Sequence, residues 1–164
     1  MKIFLNQSWV VAAAVWLLLG VGHASAQDKA DQLAVIVAKT CPVDDIKTAD
    51  LQKYFKAEKS KMPDGTKIII VMEDVGRPER DAALRAIFGM SEAEYSDYFA
   101  GQVFTGAVKS APASYPTPAA VKAFVAANPG AISYVRASDA DDSVKVLKVD
   151  GKAPGESDYS LKMK

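Results

Sequence analysis

Short unbroken runs of apolar residues, set between segments with helical spacing, restrict this chain to few folds. Leu33-Ala34-Val35-Ile36-Val37-Ala38 is the first run and Ile68-Ile69-Ile70-Val71-Met72 the second. A strand with one wet face alternates apolar and polar positions, whereas continuous apolarity means that both faces are covered. Ala131-Ile132-Ser133-Tyr134-Val135 reads as a third buried strand. Val144 to Val149, interrupted by Lys145 and Lys148, reads as an edge strand exposed on one side.

The intervening segments carry a period of three to four residues. Thr48 is positioned as an N-cap for a helix that turns Leu51, Tyr54 and Phe55 inward. Pro63-Asp64-Gly65 supplies the turn before the second strand. After that strand, Pro78 suits a first helical turn, Ala83, Leu84, Ile87 and Phe88 share a face, and Gly89 closes the helix. Ser91 and Glu94 form a capping-box pair ahead of Tyr95, Tyr98, Phe99 and Gln102, an aromatic stripe that reads as core. Thr105 to Pro116 reads as a loop, Thr117-Pro118 opens a helix with Val121, Phe124 and Val125 inward, and Asn128-Pro129-Gly130 ends it. Residues 27–32 read as frayed, and the tail from Gly151 as a segment lying along the surface. The expectation is an α/β fold: a single three-layer-like domain with a mainly parallel or mixed sheet.

Residues 1–26 have the pattern of a secretory signal peptide: Lys2 at the start, an apolar run from Trp9 to Leu19, and Ala24-Ser25-Ala26 at the cleavage point. A membrane anchor is the alternative, but the run is shorter than the ~20 residues that a spanning helix needs. Cleavage near Gln27 leaves one domain, residues 27–164, that is periplasmic or secreted, without a membrane span. It also removes His23, the single histidine, together with Trp9 and Trp16, the two tryptophans. Acids then exceed bases by one, which offers no global field for nucleic acid. Cys41 is alone, so an intramolecular disulfide is excluded and a buried thiol is expected.

Without histidine or a cysteine cluster, a zinc site has no ligand set, and neither a metal nor a cofactor is expected. A serine triad lacks its base, although a Ser-Lys pairing stays open; no Gly-x-Ser-x-Gly elbow and no Gly-rich phosphate loop occurs. The Asp44-Asp45 pair and the Asp139, Asp141, Asp142 cluster lack the alternation of a calcium loop and read as solvated turns. No catalytic residues are assigned. Gly76-Arg77-Pro78-Glu79-Arg80 joins a strand end to a helix start, where backbone amides and the guanidiniums of Arg77 and Arg80 suit an oxyanion. The same loop also reads as an ordinary connection whose arginines pair with Asp74, Glu79 or Asp81. Thr105-Gly106 reads either as pocket lining, with Thr105 as a ligand contact, or as a simple turn.

Several stretches resemble the phosphate-type substrate-binding proteins of ABC transporters. They are Asp50 to Phe55 ahead of Pro63-Asp64-Gly65-Thr66, Val103-Phe104-Thr105-Gly106, Asn128-Pro129-Gly130-Ala131-Ile132-Ser133-Tyr134-Val135, and Val146-Leu147-Lys148-Val149-Asp150-Gly151-Lys152. Full members of that family have two α/β lobes that close on an anion. The resemblance implies that this chain folds like one lobe of a type 2 periplasmic binding protein, non-enzymatic, with a small anion such as phosphate as ligand. It also implies an ABC transporter or another envelope protein as partner. The family's Arg-x-x-Gly-Ser-Gly-Thr stretch is altered here: with Gly76 aligned, Glu73 stands at the arginine, Arg77 at the serine, Pro78 at the second glycine and Glu79 at the threonine. Gly76, Arg77, Arg80 and Thr105 are the candidate ligand residues. The alternative is an interaction or signalling protein of the envelope, or a homodimer, that keeps the fold without the ligand.

Overall fold

A computed structural model describes residues 29–164. The expected leader, residues 1–26, lies outside them. Five strands form a mixed sheet in the spatial order β4-β3-β5-β1-β6: β1 is Leu33–Val37, β3 Ile69–Glu73, β4 Ala113–Tyr115, β5 Ala131–Arg136 and β6 Lys145–Val146. β3 runs parallel to both β4 and β5, while β1 is antiparallel to β5 and β6. A two-stranded parallel ribbon, β2 (Asp45–Ile46) with β7 (Lys148–Val149), stands apart.

Side-chain alternation along the central strands divides the core into two layers. Leu33, Val35 and Val37 of β1, with Ile132 and Tyr134 of β5, face three helices. These are α1 (Thr48–Phe55), α2 (Pro78–Ala83) running directly into a π-helical turn (Leu84–Phe88), and α3 (Glu92–Phe104). Ala34, Ile36, Val71, Ala131 and Val135 face α4 (Pro118–Ala127) through Val121 and Val125. Helices on both faces explain the unbroken apolar runs. Each of the fully buried valines of α4 contributes about 2 kcal/mol by leaving water. Ser133 is the polar exception in β5, and its hydroxyl donates to the Val71 carbonyl at 2.8 Å. Cys41 is buried beside Met62, as expected.

Helix boundaries follow their caps. Ser91 and Glu94 form the full capping box of α3, and the Thr117 hydroxyl accepts from the Ala120 amide to start α4. α1 differs from expectation. Its N-cap is Lys47, and Thr48 already lies in the helix, with its amide and hydroxyl donating to the two carboxylate oxygens of Asp150 at 3.1 and 2.5 Å. A residue distant in sequence thus caps this helix, which no local pattern reveals. α4 stops at Ala127 with Asn128 as its C-cap; Gly130 follows at φ +92°, and an added Cβ there would stand 2.3 Å from the Lys67 carbonyl oxygen. Only glycine lets these two segments approach so closely here.

Three other expectations need correction. The loop expected over Thr105 to Pro116 contains β4, since Ala113-Ser114-Tyr115 pair with Val71-Met72-Glu73; three residues are too few to show a period. The edge strand expected over Val144 to Val149 is two strands in different sheets, divided at Leu147, whose side chain is buried in the core. The described part of the N-terminal segment is not frayed, and the tail from Gly151 sends side chains into the core instead of only lying along the surface. Gln32 is buried and accepts from the Gly155 amide at 2.7 Å, the Leu33 amide donates to the Leu161 carbonyl, and Tyr159 and Leu161 are each only 1% exposed.

Candidate functional site at the end of the parallel strands

The three parallel strands β3, β4 and β5 end on the same side of the sheet, at Glu73, Tyr115 and Arg136. Ligands of open α/β sheets bind outside the carboxyl ends of strands. The chain leaves β3 through a tight turn in which the Arg77 amide donates to the Asp74 carbonyl at 3.2 Å. Gly76 takes the third position of that turn at φ +86°, a conformation that favours glycine. α2 then begins at Pro78 and brings Glu79 and Arg80 back beneath the strand ends.

Every guanidinium in this region is paired. Arg80, 5% exposed, forks onto Glu92 with two contacts of 2.7 Å, from Nε to Oε2 and from Nη2 to Oε1, while its Nη1 donates to the Glu73 carbonyl at 2.9 Å. Its guanidinium also lies over the Tyr95 ring, 4.9 Å from the centroid. Arg77 donates from Nε to Glu73 Oε2 at 3.1 Å and approaches Glu79 Oε2 at 3.4 Å. Arg136 donates to Glu79 Oε1 from Nε at 3.0 Å and pairs with it from Nη2 at 2.8 Å. Three arginines thus meet three glutamates.

Two of those glutamates have been taken out of water. Glu73 is fully buried and Glu79 is 2% exposed, and one carboxylate oxygen of each, Glu73 Oε1 and Glu79 Oε2, has no hydrogen-bond partner. Burial pushes the Glu73 carboxyl up from its ordinary 4.5 to about 7. The Arg77 hydrogen bond pulls the other way, and the neighbouring Glu79 adds to the rise. Such a site holds a proton close to neutrality. Among the described residues no group of three or more His, Cys, Asp or Glu side chains is placed to hold a metal.

The structure brings Gly76, Arg77 and Arg80 to one junction, as the sequence implied, but both guanidiniums are engaged by carboxylates. Of the three acids weighed as their partners, Glu79 pairs with Arg77 and with Arg136; Asp74 and Asp81 form no ion pair there. Thr105 is elsewhere in its bonding: its hydroxyl donates to the Gly101 and Gln102 carbonyls at 3.0 and 3.2 Å, closing the end of α3. Sequence reasoning missed Glu92 and Arg136 as members of the cluster, and it set Glu73 at the family's arginine position without pairing it with Arg77. The signal available for Glu73 and Arg136 was a charge placed directly after a buried strand; Glu92 carried none. Beside Arg80 and Glu92 opens a cavity of about 630 Å³ with Tyr95, Phe99, Val103 and Phe104 along its wall. Phe104 is 92% exposed, a large apolar side chain left in water.

No protein-family model matches the chain, and neither does any curated protein. Solved structures do. An ABC-type phosphate transport receptor from Vibrio cholerae superposes over 80% of this chain and 53% of its own, with a TM-score of 0.64 and 18% identity. The chain has the fold of phosphate ABC transporter substrate-binding proteins. PstS from Borrelia burgdorferi gives a TM-score of 0.63 at 14% identity, covering 80% of this chain and 54% of that one. A Clostridium perfringens protein assigned as a phosphate ABC transporter substrate-binding protein, crystallised with phosphate bound, gives 0.62 at 23% identity over 76% and 47%. The chain therefore spans about half the length of these neighbours. Among the described residues no helix is long and apolar enough to cross a membrane.

Proposed function

We propose that this chain is an exported, non-enzymatic protein of the periplasm that keeps a phosphate-binder fold while its own carboxylates fill the place of the anion. One observation carries this reading: Arg77 and Arg136, the cations facing the end of β3, are neutralised by Glu73 and Glu79 inside the protein. A bound phosphate would have to displace Glu79 and leave a buried carboxylate uncompensated, at a cost of about 3–5 kcal/mol. The protein then acts through contact with another component of the envelope, an ABC transporter or a signalling partner. The exposed Phe104 beside the cavity on α3 offers a place for such contact.

A second reading is a small-anion binder in which Gly76 and Arg77 hold the ligand. Arg77 favours it, because its side chain is 37% exposed and only its Glu73 and Glu79 contacts hold it in place. Calorimetric titration with phosphate and sulfate separates the two. The first reading expects no saturable heat from the wild type; saturable binding abolished by Arg77→Ala establishes the second. Arg80 is positioned to support the fold under both.

A further inference from the structure

β4 pairs with β3 only from Val71 onward, opposite Ala113, so the first half of β3 has no neighbour on that side. The chain from Gly106 to Ala111 bows away from the sheet, and the turn after α1 closes the other flank, leaving a cavity of about 600 Å³. Its floor is apolar: Ile70, on the face of β3 that packs with Phe99 and Val108. Its rim carries Lys59, Lys67 and Lys109, and no Asp or Glu lines it. Lys59 holds Asp50 at 2.8 Å, while Lys67 and Lys109 make no ion pair among the described residues. In a chain with as many acids as bases, whose β3–α2 arginines are each matched by a glutamate, two lysines without an ion pair beside an apolar floor are a local excess of one sign.

The geometry points to this cavity as a binding site for a small amphiphilic anion, a free monocarboxylate whose aliphatic body lies on Ile70, Phe99 and Val108 and whose head is held by Lys67 and Lys109. Neither element suffices alone. An inorganic anion gains nothing from the floor, and lysines on a solvated rim hold a bare charge only weakly. An apolar body that leaves water on the floor supplies the affinity, and the rim selects the sign of the head. The site is separate from the β3–α2 junction and shares no residue with the arginine–glutamate cluster.

Decanoate is the probe, titrated calorimetrically against the chain beginning at Gln27, with decyltrimethylammonium, inorganic phosphate and phosphatidylglycerol vesicles as comparisons. Saturable decanoate binding is expected, at least about tenfold tighter than the cation of equal chain length, and weakened about tenfold by Lys67→Glu with Lys109→Glu. Both lysines are exposed, so the double variant folds; an unchanged urea midpoint verifies this. Arg77→Ala leaves decanoate affinity unchanged, which makes failure here distinguishable from failure of the reading for the β3–α2 junction. The proposal is overturned if decanoate does not saturate, if the cation binds equally well, or if the charge reversal has no effect. Binding to vesicles without binding to free decanoate overturns it too, by identifying a membrane surface as the occupant.

Discussion

Replacing Glu73 by glutamine tests the electrostatics of the β3–α2 junction without changing its shape. The Glu73 carboxyl is fully buried, accepts one hydrogen bond from Arg77 and leaves its second oxygen unpartnered, and burial raises it to about 7. In the unfolded chain it titrates near its ordinary 4.5. Between these values the folded protein binds more protons than the unfolded one. Stability from this group is therefore complete below the unfolded value and is lost as pH rises through the folded one. A rise of this size corresponds to a loss on the order of 3 kcal/mol. Because the single histidine is His23, the chain beginning at Gln27 has no other side chain that ordinarily titrates in that window. Urea unfolding followed by circular dichroism at about pH 5 and about pH 8 should show the wild type weaken by roughly 2–3 kcal/mol and Glu73→Gln stay nearly level. A wild type that is level or gains stability over this range, or a variant that weakens equally, refutes the reasoning.

Arg80→Ala and Arg80→Lys should each destabilise the fold, the alanine by about 3 kcal/mol, because the fork onto Glu92, the bond to the Glu73 carbonyl and the Tyr95 contact go together and lysine cannot reproduce the fork. Denaturant midpoints check this, and a variant as stable as the wild type removes the positioning role. Leu161→Ala should cost about 2–4 kcal/mol in the same assay, since that side chain is 1% exposed within the core. A loss under ~0.5 kcal/mol, the range of surface substitutions, would mean that the tail does lie on the surface.

The layer architecture was legible in the residues. Strands such as Leu33–Val37 and Ala131–Arg136 are buried on both faces, so their composition alone announces helices above and below the sheet. The capping box at Ser91 and the stop at Asn128-Pro129-Gly130 were equally local, and both stand where the sequence put them. What was not legible depends on contacts between distant residues. Asp150 caps α1 across the fold, and β4 is recognised by its pairing with Val71 to Glu73 instead of by any pattern of its own. The tail misled because Tyr159 and Leu161 are isolated apolar residues in a polar stretch; only their packing shows that they belong to the core. At the site, Gly76, Arg77 and Arg80 were correctly placed at one strand-to-helix junction. Which of their charges stay free could not be read from spacing, since Glu92 and Arg136 reach the cluster from other elements.

The carboxylates of Glu73 and Glu79 are the heart of the functional reading, and a phosphate titration of wild type beside Glu79→Gln, at a pH above 7, addresses them most directly. The wild type should give no saturable heat at millimolar phosphate, whereas Glu79→Gln, which leaves Arg136 and Arg77 short of one negative charge, should acquire weak saturable binding. Saturable phosphate binding by the wild type, lost on Arg77→Ala, would contradict the claim and restore the anion to this site.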